Sequence, residues 1–121
     1  MGRFADLKAY QHARRLVVLS RPLIAKLPDT EQDLAEQWRR ASNSVALNLA
    51  EGASRRGAKE FRRFADIARG SLHEVEAIID LILAMEYFQP AQLQDVIAAR
   101  DECARTVYGL LRKFSEAAST S

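Results

Sequence analysis

Apolar residues recur every three or four positions between residues 61 and 82, and this spacing constrains the fold more than any other feature of the chain. Steps of four and three keep side chains on one face of a helix, so the segment predicts a helix with a continuous buried side. Its members are Phe61, Ala65, Ala68, Leu72, Val75, Ile79 and Ile82. With only 5 glycines and 3 prolines in 121 residues, the composition favours an all-helical chain over a sheet protein.

Three more helices are readable around this segment. The four are expected at about residues 6–26, 31–53, 58–87 and 91–116, with a frayed tail from Glu116 onward. Pro28 and Pro90 mark connections, because proline restricts its predecessor and suits a first helical turn. Pro22 lies inside the first helix and predicts a kink or a local irregularity near residues 18–22. Short connections predict one domain, residues 1–121, folded as an all-α, antiparallel up-down-up-down four-helix bundle.

A second apolar stripe lies beside the first on the third helix. It consists of Phe64, Ile67, Ile78, Leu81, Met85 and Phe88. The two stripes together are wider than the single buried face that a helix of a small bundle requires. Two explanations stay open: the third helix is central to the bundle, or another subunit covers its second stripe.

Polar residues interrupt the core face of the second helix. That face steps by three or four through Leu34, Trp38, Ala41, Val45, Asn48 and Gly52. A buried amide without partners would cost about 1–3 kcal/mol, so Asn48 is expected to bond across the bundle or to organise the following turn or a subunit contact. Glu51 and Gly52 are expected to shape that turn, and Gly70 and Ser71 to permit close helix packing.

The residues needed for catalysis are thinly represented. His12 and His73 are the only histidines, and neither lies in a Glu-x-x-His or two-histidine motif, so no metal site is expected. Cys103 falls on the apolar stripe of the fourth helix, as a buried structural thiol does. No serine lies in a Gly-x-Ser-x-Gly motif, and no glycine-rich phosphate loop is present. We therefore expect no enzyme activity and no cofactor.

The single cysteine is typical of a reducing compartment, because it excludes a disulfide framework within the chain. No signal peptide and no run of 18 apolar residues is readable. The sequence accordingly predicts a cytoplasmic protein that does not interact with membranes.

Two basic zones stand out from a net charge of only +2. Residues 1–28 carry six lysines and arginines against one acid, and residues 52–70 carry six against two. Such zones attract phosphate or acidic partners. The candidate nucleic-acid contacts are Arg39, Arg40, Arg55, Arg56, Lys59, Arg62, Arg63 and Arg69. The alternative is a solvated surface in which carboxylates such as Glu51 neutralise part of the cluster.

Two blocks of sequence resemble a known family. The first is Gln37-Trp38-Arg39-Arg40-Ala41, Ser44-Val45 and Asn48-Leu49-Ala50-Glu51-Gly52, and the second is Lys59-Glu60-Phe61-Arg62-Arg63-Phe64, Ile67-Ala68-Arg69-Gly70-Ser71-Leu72 and Glu74. Both resemble the bacterial four-helix-bundle proteins encoded by intervening sequences of 23S ribosomal RNA genes. Gly57 and Ala58 depart from the family pattern, in which a capping Ser or Thr and an acidic residue are more typical. Pro22 departs from it as well.

The resemblance implies a homopentamer without enzymatic activity. It extends to accessory proteins of diversity-generating retroelements, whose basic pentameric barrels bind nucleic acid and a reverse transcriptase. We therefore expect a non-catalytic homo-oligomer that contacts the backbone of RNA or DNA. The alternative is a structural scaffold that recruits a protein, such as a reverse transcriptase, without binding nucleic acid.

Overall fold

Four helices form the structure, a computed structural model that describes the backbone of residues 3–120 and the side chains of residues 4–114. They are α1 (Lys8–Ala25), α2 (Gln32–Ser54), α3 (Ala58–Ala84) and α4 (Pro90–Thr120). Short 3-10 turns, Arg3–Asp6 and Asp29–Glu31, precede α1 and α2. Both α1 and α3 pack against α2 and α4, so the helices occupy the corners of a square. The predicted all-α four-helix bundle is confirmed, and α3 is a corner helix rather than a central one.

The helices differ from the expected ones in three places. α3 ends at Ala84, three residues early, because Glu86 takes a positive φ of 61° and leaves the helical path. The backbone of α4 stays helical through Thr120, beyond the expected fraying point. α1 runs uninterrupted through Pro22. Pro22 and Val18 are both exposed, so the hydrogen bond that the proline removes falls on the solvent side of the helix.

The structure places Asn48 at the edge of the core, not inside it. Leu49 takes the fully buried position, and Asn48 is half-buried. The Nδ2 of Asn48 donates to the carbonyl oxygen of Ser44 at 2.9 Å and to its Oγ at 3.0 Å. The Oγ of Ser44 in turn lies 2.9 Å from the Oγ of Ser71 on α3. The serines make the link between helices, and Asn48 supports it from its own helix.

A buried hydrogen bond that sequence reasoning missed joins α1 to α2. The Nε1 of Trp38 donates to the Oγ of Ser20 at 3.0 Å, and both residues are fully buried. Ser42, also buried, donates its hydroxyl to the carbonyl oxygen of Trp38 at 2.9 Å. Among the described side chains, no buried nitrogen or oxygen atom lacks a hydrogen-bond partner. The polar atoms in the described part of the core are thus satisfied within the chain.

The two helical glycines singled out from the sequence have opposite surroundings. Gly52 is buried against α3 and permits a close approach of the two helices. Gly70 is exposed, and a Cβ at this position would meet no atom within 4 Å. The expected close packing at Gly70 is therefore absent in the described part of the chain, because this side of α3 points away from both neighbouring helices.

Candidate nucleic-acid interface

The connection between α2 and α3 is three residues long and depends on a glycine. Gly57 has φ 86° and ψ 156°, a region of backbone space that is essentially restricted to glycine. Its carbonyl oxygen accepts the N–H of Phe61 at 3.3 Å, and no side chain caps the start of α3. The chain therefore reverses within a tight turn.

Five cations surround this connection, and all are exposed. We call them the basic turn: Arg55, Arg56, Lys59, Arg62 and Arg63. Arg55 donates its Nε to Glu51 at 3.1 Å, and Arg63 donates its Nε to Glu60 at 3.4 Å. Such exposed pairs contribute at most about 1 kcal/mol each and exchange readily with other anions.

The other three cations of the basic turn have no carboxylate at salt-bridge distance among the side chains that the structure describes. These are Arg56, Lys59 and Arg62. Lys59 lies in the first turn of α3, where positive charge opposes the helix dipole, so helix stability does not account for its presence. All three cations are available to an external anion.

Phe64 holds two of the arginines in place. The guanidinium carbons of Arg55 and Arg63 lie 5.2 Å and 4.5 Å from the centre of its ring. Phe64 itself is buried, and Phe61 stacks on Phe114 at 4.6 Å between ring centres. The aromatic rings of this region therefore face the protein and position cations. An arrangement of this kind suits phosphate contacts better than base stacking.

The remaining sequence-predicted contacts lie apart from the basic turn. Arg40 precedes Arg55 by fifteen residues, about 22 Å along α2. Its neighbour Arg39 donates to Glu36 at 2.9 Å. Arg69 faces the groove between α3 and α4, where its Nε donates to Asp66 at 3.0 Å. The structure thus brings five of the eight candidates together and leaves Arg39, Arg40 and Arg69 outside.

The opposite end of the bundle is acidic. Antiparallel packing brings residues 28–36 beside residues 76–95, and Tyr87 donates its hydroxyl to Glu31 across the two connections. These two segments contain eight carboxylates and no lysine or arginine: Asp29, Glu31, Asp33, Glu36, Glu76, Asp80, Glu86 and Asp95. The nearby cations are fewer, since Lys26 ends α1 on this side and Arg39 and Arg100 pair with Glu36 and Glu76. Charge is therefore separated along the bundle axis, and sequence reasoning missed this because it depends on which segments pack together.

Arg100 is a further cation, one that sequence reasoning missed, and its role is structural. Its side chain is only 13% exposed. The Nη2 donates to Asp101 at 2.7 Å, the Nη1 donates to the carbonyl oxygen of Leu72 at 3.3 Å, and Glu76 lies 3.7 Å away. A spacing in the sequence could have indicated this role: Arg100 precedes the buried Cys103 by one helical turn and so lies on nearly the same side of the helix. Arg100 ties α4 to α3.

The groups considered for catalysis are dispersed. His73 is exposed, and His12 is half-buried on a different helix. Cys103 is fully buried with its Sγ 3.6 Å from the carbonyl oxygen of Ala9, and burial raises the pKa of its thiol to about 12 despite the nearby Arg100. Among the described residues, no three His, Cys, Asp or Glu side chains are grouped closely enough to hold a metal ion. No helix in the described range has the length and hydropathy to cross a membrane.

These features define a class of protein, an all-α bundle whose distinctive surface feature is separated charge. Residues 5–109 match the family described as 23S rRNA-intervening sequence proteins, and the chain belongs to that family. No curated protein matches it. The match covers α1 to α3 and most of α4, so the family predicted from the two sequence blocks is confirmed. The relation to retroelement accessory proteins stays a prediction.

Proposed function

We propose that this protein is a non-catalytic homo-oligomer, a pentamer, that binds the backbone of RNA or DNA through the basic turn. The charge separation along the bundle axis is the observation that carries the proposal. A polyanion is attracted more strongly to the end that bears the basic turn than to the opposite end, where carboxylates outnumber lysines and arginines. The electrostatic field of the bundle thereby orients the protein with its basic turn toward the nucleic acid.

The chemistry of the basic turn fits phosphate. Arginine presents a planar fork that bonds two phosphate oxygens at once, and lysine contributes a point charge. Arg56, Lys59 and Arg62 are unpaired among the described side chains, so no internal ion pair must break before they bind. Arg55 and Arg63 are held over Phe64, which reduces the entropy lost on binding.

The outer face of α3 supports assembly. Ile67, Leu81 and Met85 of its second apolar stripe are 42%, 51% and 40% exposed, whereas the rest of that stripe is buried. Gly70 lies in the exposed part of α3, where glycine costs about 1 kcal/mol relative to alanine without a neighbour inside the subunit. A second subunit packed closely on this face would bury the apolar side chains and use the space at Gly70. Repetition of the basic turn in an oligomer would add phosphate contacts.

A salt titration tests nucleic-acid binding. The variant Arg56→Gln/Arg62→Gln removes two unpaired cations, and Arg39→Gln/Arg40→Gln is the control with the same change in charge. Each lost phosphate contact lowers the slope of log K against log salt by about 0.9, so the first variant should lose about two units of slope and bind at least about tenfold more weakly at 0.1 M salt. The control should bind as wild type does. Equal loss in both variants would show that overall charge, rather than the basic turn, governs binding.

Mass measurement by light scattering tests the assembly. Leu81→Glu places a charge on the proposed subunit contact and should dissociate the oligomer, whereas Val18→Glu changes an equally exposed apolar residue of α1 and should not. A wild-type protein that is monomeric at micromolar concentration would refute the assembly.

The alternative function is a scaffold that binds a protein partner, such as a reverse transcriptase. The exposed apolar side chains Leu47, Ile67 and Leu81 favour it, because side chains of this kind also form protein contacts. An oligomer that fails to bind any nucleic acid at low salt would support the scaffold over the nucleic-acid proposal.

A further inference from the structure

The outer face of α1 is a second basic surface. Residues 7–28 contain no aspartate or glutamate, and they contain five cations, Lys8, Arg14, Arg15, Arg21 and Lys26. All five are exposed. Among the side chains that the structure describes, none of them forms an ion pair, in contrast to Arg55 and Arg63 of the basic turn. The basic surface of α1 is thus long, and no aspartate or glutamate on the same helix neutralises its cations.

Helical geometry arranges these cations in two rows. Arg14 and Arg21 are seven residues apart and lie on one side of the face, separated by about 10 Å. Lys8 and Arg15 have the same separation on the other side. α1 spans eighteen residues, about 27 Å, and its inner side is buried through Ala9, Ala13 and Leu16. The result is a continuous helix, held against the core by its apolar side, with cations along its solvent side.

Helix packing exposes this face to a large ligand. α1 contacts α2 and α4 and lies diagonally across the bundle from α3, whose outer face carries the exposed apolar residues. The basic rows therefore occupy a side of the subunit different from the one proposed for assembly. A ligand along α1 would leave the exposed apolar residues of α3 uncovered.

We propose that the outer face of α1 binds the phosphate backbone of double-stranded nucleic acid. A duplex carries about one negative charge per 1.7 Å of its axis and matches a long row of fixed cations, since neutralising its phosphates releases condensed counterions. Tyr10 is the only aromatic residue of α1, and it packs edge-on against Phe4 at 4.9 Å. Apart from the half-buried imidazole of His12, α1 thus offers no ring on which the bases of a single strand could stack.

An anionic membrane presents phosphates as well, but the face lacks the apolar residues that insert into lipid. Val18 is its single large exposed hydrophobic residue, at 61%. Amphipathic helices that bind membranes bury a broad apolar side in the lipid, and the apolar side of α1 is used in the bundle core. A duplex is therefore the partner favoured by both the charge and the apolar pattern.

This inference rests on the proposed function in taking nucleic acid as the partner, but it uses different residues. The test compares three variants of equal charge change: Arg14→Gln/Arg15→Gln, Arg56→Gln/Arg62→Gln and Arg39→Gln/Arg40→Gln. Each is titrated against a labelled DNA duplex, an RNA duplex and a single strand at several salt concentrations. Thermal unfolding verifies that each variant folds, and vesicles containing phosphatidylserine serve as the membrane probe.

The α1 variant should bind duplex at least about tenfold more weakly than the Arg39/Arg40 control at 0.1 M salt, with a slope reduced by about two units. If it matches the control while the Arg56/Arg62 variant loses affinity, the inference fails and the proposed function stands. If wild type binds neither duplex nor single strand at low salt, the proposed function fails as well. Loss confined to the single strand, or to the vesicles, would also overturn the assignment of α1 to a duplex.

Discussion

Gly52 of α2 lies directly against Phe64 of α3. A Cβ added at Gly52 would be 3.0 Å from the Cβ of Phe64 and 3.5 Å from the carbonyl oxygen of Phe61. The second distance is an ordinary contact, but rotation of the Phe64 side chain cannot move its Cβ, so an added methyl group would require the two helices to shift slightly apart. Phe64 also carries the guanidinium groups of Arg55 and Arg63. The helix contact and the geometry of the basic turn therefore depend on the same glycine.

Replacing Gly52 by alanine should destabilise the protein relative to replacing Gly70. Gly52→Ala forces α2 away from α3, at a cost of about 1–3 kcal/mol for overpacking. Gly70→Ala meets no atom within 4 Å and gains up to about 1 kcal/mol of helix propensity in a single subunit. Denaturant unfolding of both variants, at concentrations where assembly is the same, measures the difference. Equal stability of the two would show that the helices adjust freely at Gly52.

Gly57→Ala should destabilise through the backbone alone. Its φ of 86° is strained for any residue with a Cβ, which costs about 1–3 kcal/mol, and nothing lies within 4 Å of the added carbon. Gly109→Ala, in mid-helix with equally open space, is the control and should not destabilise. The free energy of unfolding from denaturant titration tests this. A neutral Gly57→Ala would mean that the turn relaxes to a negative φ.

Removing the hydroxyl of Ser20 should leave the indole N–H of Trp38 buried without an acceptor. The expected loss of stability is about 1–3 kcal/mol. Trp38 is the only tryptophan, so its fluorescence reports the change directly. In a double-mutant cycle with Trp38→Phe, the cost of Ser20→Ala should shrink, because no donor is left unpaired. Additive effects would show that the hydrogen bond at 3.0 Å contributes nothing specific.

Cys103 should make stability depend on pH in the alkaline range. Burial raises the pKa of its thiol from 9.0 to about 12, so the folded state retains a proton that the unfolded state releases. The stability that the protonated, buried thiol contributes is fully present below pH 9.0 and is lost as the pH rises from 9.0 toward 12. Unfolding of wild type and Cys103→Ala between pH 8 and 11 should show a steeper decline for wild type. Parallel curves would contradict the raised pKa.

The same burial should protect Cys103 from alkylation. The thiolate is the reactive form, and a raised pKa keeps the group protonated at neutral pH. Iodoacetamide should therefore modify the folded protein far more slowly than the protein in denaturant. Fast modification under native conditions would show that the helices around Cys103 open readily.

The number of helices and their approximate positions were predictable because burial of one helical side imposes a period that survives in the sequence. Which residues of each helix face the core was less predictable. Trp38 and Val45 were placed correctly in the core, but the stripe was extended to Asn48, whereas Leu49 is the buried residue. Residues 48 and 49 both lie near the margin of that stripe, and the packing of α2 between α1 and α3 decides which one faces inward.

The sequence by itself determined the four helices, the family and the presence of a basic segment around Arg55 to Arg63, because these depend on local periodicity and composition. Only the tertiary structure decided what lies opposite that segment. Antiparallel packing places Glu31 beside Tyr87 and gathers eight carboxylates at the far end, while it sets Arg39 and Arg69 apart from the basic turn. Charge separation is a property of distances between helices, and a linear sequence does not contain those distances until the helices are packed.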